Sequence, residues 1–343
     1  MKLERYLKVA DPGRGGWSLP GVRADLANLV EIAANSGDYD IQLRKNYFNI
    51  YYQGSSLAKV SLEESDGTYT ASIHWKFFHG KSRLSDTMDT EHEDQSKGSR
   101  KGEKRKELKE KMLAHPHRPS GKGDNRYEVF TKIRRKDSVG DGLMFHQFFQ
   151  KMSLDMIASN IRSNGGREEE RMLEQVLIAD NPPSKDFIII DRQVSLGKEE
   201  EKGAKKMDML SLRRAQNGLY RFTIIEVKLG NNPELVADMK DEAKVVKQLT
   251  KYVGRVQREI GEFAECYEEN YRQKVELRLI DPESMPKTVK INRDPETVQG
   301  LVVVIGNSRL AEKRIDKLDR LLKAKGLRPV CQIRNEPKLA AIC

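Results

Sequence analysis

The chain has 343 residues, 33% charged and 37% hydrophobic, with a formal net charge of +10 that favours a polyanionic partner such as nucleic acid. No apolar run approaches the roughly 20 residues of a membrane-spanning helix, and the first residues lack the apolar core of a secretory signal, so no membrane partner is expected. Cys266, Cys331 and Cys343 are odd in number and far apart, which excludes a disulfide framework or zinc spacing and points to a reducing cytoplasm.

Residues 1–80 read as a small N-terminal α+β domain. Leu19-Pro20-Gly21 is a turn, and Val22, Leu26, Leu29 and Val30 recur at helical spacing until Asn35-Ser36-Gly37 stops the helix. Strand patterns follow over Tyr39 to Leu43, Tyr47 to Tyr52, Leu57 to Leu62 and Thr68 to Phe77, separated by hairpin-type breaks. The aromatic-dense Tyr47 to Tyr52 segment suits the core of this meander better than a base-stacking platform.

Residues 81–125 are dominated by Asp, Glu, Lys, Arg, Ser and Gly and read as a charged linker or insert, with one charged helix over Glu103 to Leu113. His115-Pro116-His117 lies here without the cysteines or carboxylates that would complete a metal site. Basic runs at Arg100-Lys101, Lys104-Arg105-Lys106 and Arg134-Arg135-Lys136 read as solvated surface with the capacity to meet phosphates.

Residues 126–343 read as a second, larger domain. Helical spacing covers Asp141 to Ser163 and Arg167 to Ala179, and Asp180-Asn181-Pro182-Pro183 ends the latter. Strands are predicted over Phe187 to Leu196, Met207 to Leu212 and Leu219 to Leu229. Asn217-Gly218 is a strong hairpin signal, so the last two should pair antiparallel. A long helical region over Glu234 to Tyr271, a strand over Gly300 to Ile305, a helix over Ala311 to Lys325 and a strand over Arg328 to Ile333 complete the order. The fold class is α/β, a central mixed β-sheet flanked by helices.

One strand breaks its own pattern. Arg221-Phe222-Thr223-Ile224-Ile225-Glu226-Val227-Lys228 is apolar enough to be buried, yet Glu226 and Lys228 emerge on one face of it. Charges left uncompensated there would cost several kcal/mol. A salt-bridged pair would neutralise them, and so would a metal ion held between acids. Asp208 lies 18 residues earlier, on the strand hairpinned to this one, and can reach both. Two carboxylates beside an amine suit Mg²⁺-dependent phosphodiester hydrolysis.

Asp208 with Glu226-Val227-Lys228 resembles the signature of the PD-(D/E)XK, or restriction-endonuclease-like, nucleases. Gln248-Leu249-Thr250-Lys251-Tyr252 looks like the Gln-x-x-x-Tyr motif of the RecB-like branch, with Gln248 and Tyr252 on one helix face. The resemblance covers about residues 165–335 and departs at Lys206-Met207, where no proline precedes Asp208. It implies a restriction-endonuclease-like core in which Asp208, Glu226 and the Val227 carbonyl bind Mg²⁺, with Mn²⁺ able to substitute. It also implies that Lys228 is the catalytic lysine, that Gln248 and Tyr252 position it or a DNA phosphate, and that an upstream acid assists. Glu170 and Glu174 are both candidates for that acid, and Glu174 is preferred.

The expected activity is Mg²⁺-dependent DNA endonuclease, in the manner of restriction or anti-phage defence effectors, with homo-oligomers or a partner protein of such a system left open. Two alternatives stand beside it. One is a non-catalytic nucleic-acid-binding or assembly module on the same scaffold. The other is an RNA nuclease, because nothing in the residues separates RNA from DNA.

Overall fold

The computed structural model describes residues 3–8, 18–62, 68–74, 127–134, 169–195, 206–235, 243–306, 309–333 and 339. The helices expected over Glu103 to Leu113 and Asp141 to Ser163, the His115-Pro116-His117 segment and the Arg100 to Lys106 basic runs lie outside these residues.

Ser18 caps the first helix, α1 (Leu19–Ser36), its Oγ accepting from the Gly21 amide, and Gly37 ends it at φ 63°. The chain then turns back and forth through β1 (Tyr39–Arg44), β2 (Tyr47–Tyr52), β3 (Ser55–Leu62) and β4 (Thr68–His74). All pair antiparallel in sequence order. Phe48, Ile50, Tyr52, Val60 and Ile73 pack with Val22, Leu26 and Leu29 of α1 in one core, so the aromatic segment builds the interior. A fifth strand, β5 (Tyr127–Arg134), pairs antiparallel with β4. Its residues fall in the range that the sequence assigns to the second domain, yet its backbone completes the first sheet.

The second sheet is mixed, in the order β10-β9-β8-β7-β6. It is preceded by α2 (Glu169–Asp180) and built from β6 (Phe187–Ser195), β7 (Lys206–Arg214), β8 (Tyr220–Leu229), β9 (Gln299–Ile305) and β10 (Cys331–Ile333). β6, β7 and β8 run antiparallel in turn, with Gly218 at φ 80° in the β7–β8 hairpin. β8, β9 and β10 are parallel.

The two faces of β8 divide the apolar residues by the two-residue period of a strand. Ile225 and Val227 pack with Leu177 of α2 on one side. Phe222 and Ile224 face α3 (Lys244–Arg258), α4 (Ile260–Glu276) and α5 (Arg309–Ala324) on the other. Gly300 lets α3 settle close on β9: a Cβ there would stand 2.9 Å from both Leu249 Cγ and Val253 Cγ2.

Among the described residues, the long helical region expected over Glu234 to Tyr271 is divided. A 3₁₀ turn covers Pro233–Leu235, and α3 and α4 break at Glu259, whose φ −116° and ψ 26° leave the helical region. The break lets each helix lay a separate stripe on the sheet. Val245, Leu249, Tyr252 and Val256 line α3, and Phe263 and Tyr267 of α4 sit 6.1 and 5.8 Å, edge to face, from Phe222. No described helix is long and apolar enough to cross a membrane.

Candidate active site

The β7–β8 hairpin sets the geometry. Its register pairs Met209 with Ile225, so one step further Asp208 comes level with Glu226 across the ladder. Side chains opposite each other in an antiparallel pair share a face. The Val227 amide donates to Asp208 Oδ2 at 2.9 Å, fixing that carboxylate at the sheet end.

Lys228 Nζ lies 3.5 Å from Glu226 Oε2 and 3.6 Å from Asp208 Oδ2, and donates to the Val227 carbonyl at 3.1 Å. Two further acids reach it at 4.0 Å: Glu170 from the first turn of α2 and Glu234 from the 3₁₀ turn after β8. Glu170 is tethered at its other oxygen by the Leu229 amide at 3.3 Å and by the Asn232 side chain.

From α3, Gln248 Nε2 donates to Glu226 Oε2 at 3.1 Å and lies 3.2 Å from the Tyr252 hydroxyl. That hydroxyl donates to the Lys206 carbonyl at 3.0 Å. Gln248 therefore holds the Glu226 carboxylate, and Tyr252 ties the helix to the start of β7. Five of the residues singled out from the sequence, Asp208, Glu226, Lys228, Gln248 and Tyr252, stand in one bonded cluster with the Val227 backbone.

Glu174 does not reach the lysine, although the Asp208 charge acts on it. It is buried one turn along α2, where it accepts from Arg192 Nη2 at 2.9 Å and from Gln193 Nε2 at 3.0 Å. A carboxylate so engaged has little freedom to swing to Lys228. Of the two upstream acids, Glu170 is the one within 4.0 Å of the lysine, while Glu174, the one preferred from the sequence, is paired with Arg192. Glu234 was not singled out as a site residue. The Asn231-Asn232-Pro233 turn that ends β8 is the signal that could have found it, because such a turn folds the next acid back toward the strand end.

Burial, and then the neighbouring Asp208, push the Glu226 carboxyl well above its usual range. Burial also raises Asp208 against the pull of Lys228. Burial alone would lower the lysine, but Asp208, Glu226, Glu170 and Glu234 together hold it above its ordinary value, so it remains an ammonium. Burial and Glu226 raise the Tyr252 phenol, keeping it a donor.

One atom in this cluster is unsatisfied. Glu226 is fully buried, and its Oε1 has no hydrogen-bond partner. A buried carboxyl oxygen without a donor is costly, and a proton shared with Asp208, a water or a cation would satisfy it. The donor set of Asp208, Glu226 and the Val227 carbonyl is all hard oxygen, which fits Mg²⁺ or Mn²⁺. Among the described residues no three His, Cys, Asp or Glu side chains form a ready metal cage. Mg²⁺ needs only one or two carboxylates, because it keeps several of its waters. No protein-family model, curated protein or solved structure matches the chain.

Proposed function

We propose that the chain is a Mg²⁺-dependent nuclease with a restriction-endonuclease-like core, and that the Asp208–Glu226–Lys228 cluster is its active site. The observation that supports this most is the buried, unpartnered Glu226 Oε1, level with a second carboxylate and within one side chain of an ammonium. In this reading Asp208, Glu226 and the Val227 carbonyl hold the cation, with Glu170 as the upstream acid. When bound, the cation polarises the phosphodiester and lowers the pKa of water at its side.

The chain's own groups do the remaining work. Lys228 is charged, so it serves as a donor and counter-charge, orienting water and offsetting the negative charge that grows on the phosphate. Gln248 fixes the rotamer of Glu226, and Tyr252 fixes Gln248. The net charge of +10 suits a polyanionic substrate, DNA by resemblance and RNA by the same chemistry.

One observation favours a second reading. Lys228 already has four carboxylates within 4.0 Å, a set that could serve as a closed ion network on a non-catalytic scaffold. Incubation with supercoiled, linear and single-stranded DNA and with RNA, with Mg²⁺ or with EDTA, separates the two. The nuclease reading expects cleavage of at least one substrate, abolished by EDTA. Intact substrates throughout, with nucleic acid still bound, would leave the scaffold reading.

A further inference from the structure

Glu170, one of the four acids around Lys228, sits on a helix held from behind by the N-terminal sheet. Gly54, in the β2–β3 turn, takes φ 81° and lies directly against the first turn of α2. A Cβ built there would fall 2.0 Å from the Arg171 carbonyl oxygen and 2.5 Å from its carbon. Cβ atoms essentially never approach within 3.0 Å, so any side chain would push this backbone by about 1 Å, and Arg171 is the residue next to Glu170.

The rest of α2 is tied to the same unit. Gln175 Nε2 donates to the Gly37 carbonyl at 3.0 Å, while its Oε1 accepts from Arg192 Nη1 at 2.8 Å. The Arg192 guanidinium stands 4.8 Å over the Tyr51 ring and 3.8 Å from Asp40. Gln193 takes the left-handed φ of 50°, and its amide holds both oxygens of Glu174. α2 is thus pinned between β6 and the N-terminal sheet, from Arg171 to Gln175.

We infer that the N-terminal sheet is a positioning element of the candidate active site, in which Gly54 sets where α2 presents Glu170 to Lys228 and the bound cation. The value of this placement for cation binding rests on the nuclease reading; the placement of α2 by Gly54 does not. The helix cannot rise toward the N-terminal sheet without meeting Gly54, and it cannot fall away without breaking the Gln175 and Arg192 contacts. A shift of about 1 Å in a supporting group is enough to lower activity by as much as a hundredfold.

Gly326 supplies the control. It too has a positive φ, 69°, and it ends α5, across the mixed sheet from α2. An added Cβ there would meet nothing within 4 Å. Gly326→Ala therefore strains a left-handed backbone without pushing α2.

The test compares the full chain with Gly54→Ala and Gly326→Ala by hydrogen exchange over α2 and by calorimetric titration with Mn²⁺. Gly54→Ala is expected to speed exchange in the first turns of α2 and weaken Mn²⁺ binding about tenfold, while Gly326→Ala lowers the melting temperature but keeps the affinity within about twofold. Wild-type exchange in α2 and wild-type affinity in Gly54→Ala would overturn the inference, as would equal loss in both variants. If the wild type binds no Mn²⁺, the nuclease reading fails, and the exchange data alone still decide whether Gly54 positions α2. Should Gly54→Ala not fold, Gln175→Met replaces it. This variant cuts the tie to Gly37 without touching the backbone, and its α2 exchange must rise for the inference to stand.

Discussion

Residue by residue, the clearest statement in the sequence was a charge where none should be. Glu226 and Lys228 interrupt an apolar strand, and the structure gives the reason they share a face and the partner, Asp208, that stands across the hairpin. The same signal occurs at Asp191-Arg192, directly after Phe187-Ile188-Ile189-Ile190 in β6. Its partners are not legible in the sequence, because Arg5, Arg44 and Lys274 are scattered along the chain and no spacing rule joins them. Glu170 and Glu174 could not be told apart in the sequence for a related reason. Helix periodicity places Glu170 and Glu174 on one face, and only the buried Arg192 distinguishes them. Within the cluster, Lys228→Met should cut Mg²⁺-dependent cleavage about 10²–10³-fold, the range for losing one electrostatic donor, with the fold retained by circular dichroism.

Glu174 also yields a pH dependence. Its burial outweighs the pull of Arg192 and raises its pKa from 4.5 to about 7. A carboxyl with a raised folded pKa binds an extra proton in the folded state between those values. Stability therefore falls as pH rises through that window, and the cost is complete above it. Glu174→Gln cannot lose a proton. Urea unfolding at about pH 5 and about pH 8 should show the wild type losing stability relative to Glu174→Gln at the higher pH. An unchanged gap would mean that Glu174 does not titrate there.

Among the elements, the β7–β8 hairpin was the most legible, because Asn-Gly between two strand patterns marks its turn. Its register was not, since the loop holds three residues, Gln216 to Gly218, closed by the Ala215 amide on the Leu219 carbonyl, and a two-residue Asn-Gly turn would have set Asp208 opposite Val227. The division of α3 from α4 was not legible, since neither proline nor a strong cap marks Glu259. Packing separates them, one helix lying on β9 and the other over Phe222. β5 was missed because long-range pairing leaves no local trace when some fifty residues intervene between partners. α3 carries Gln248 and Tyr252, so its seat on Gly300 matters to the site. Gly300→Val should destabilise the protein by about 1–3 kcal/mol through overpacking against Leu249 and Val253. Part of the cleavage activity should go with it, as α3 lifts Gln248 from Glu226. Unfolding and nicking measured on one preparation check both.

On the scale of the molecule, the N-terminal unit and the mixed sheet meet through a buried polar centre. Asp191 Oδ2 accepts from Arg5 Nε at 2.8 Å and from the Tyr267 hydroxyl at 2.9 Å, and Oδ1 accepts from Arg44 Nη1 at 2.6 Å and its neighbour's amide at 2.7 Å. Those cations hold its carboxyl well below the usual range against the opposing effect of burial. Lys274 stands beside it, donating to Gln42 Oε1 and the Ile190 carbonyl, and its burial lowers its pKa to about 8. Asp191→Ala would strand Arg5 and Arg44 in the interior. Removing one partner of a buried pair costs about 3–5 kcal/mol, so this variant should unfold at markedly lower denaturant than wild type. A loss under about 1 kcal/mol would show that water or rearrangement replaces the carboxylate.

The account turns on the Asp208–Glu226 pair acting on a phosphodiester through a divalent cation. Mg²⁺-dependent relaxation of supercoiled plasmid, followed side by side for wild type and Asp208→Asn, tests it most directly. Nicking by the wild type that EDTA stops and Asp208→Asn lacks is the predicted result. Equal cleavage by both proteins, each folded, would contradict it.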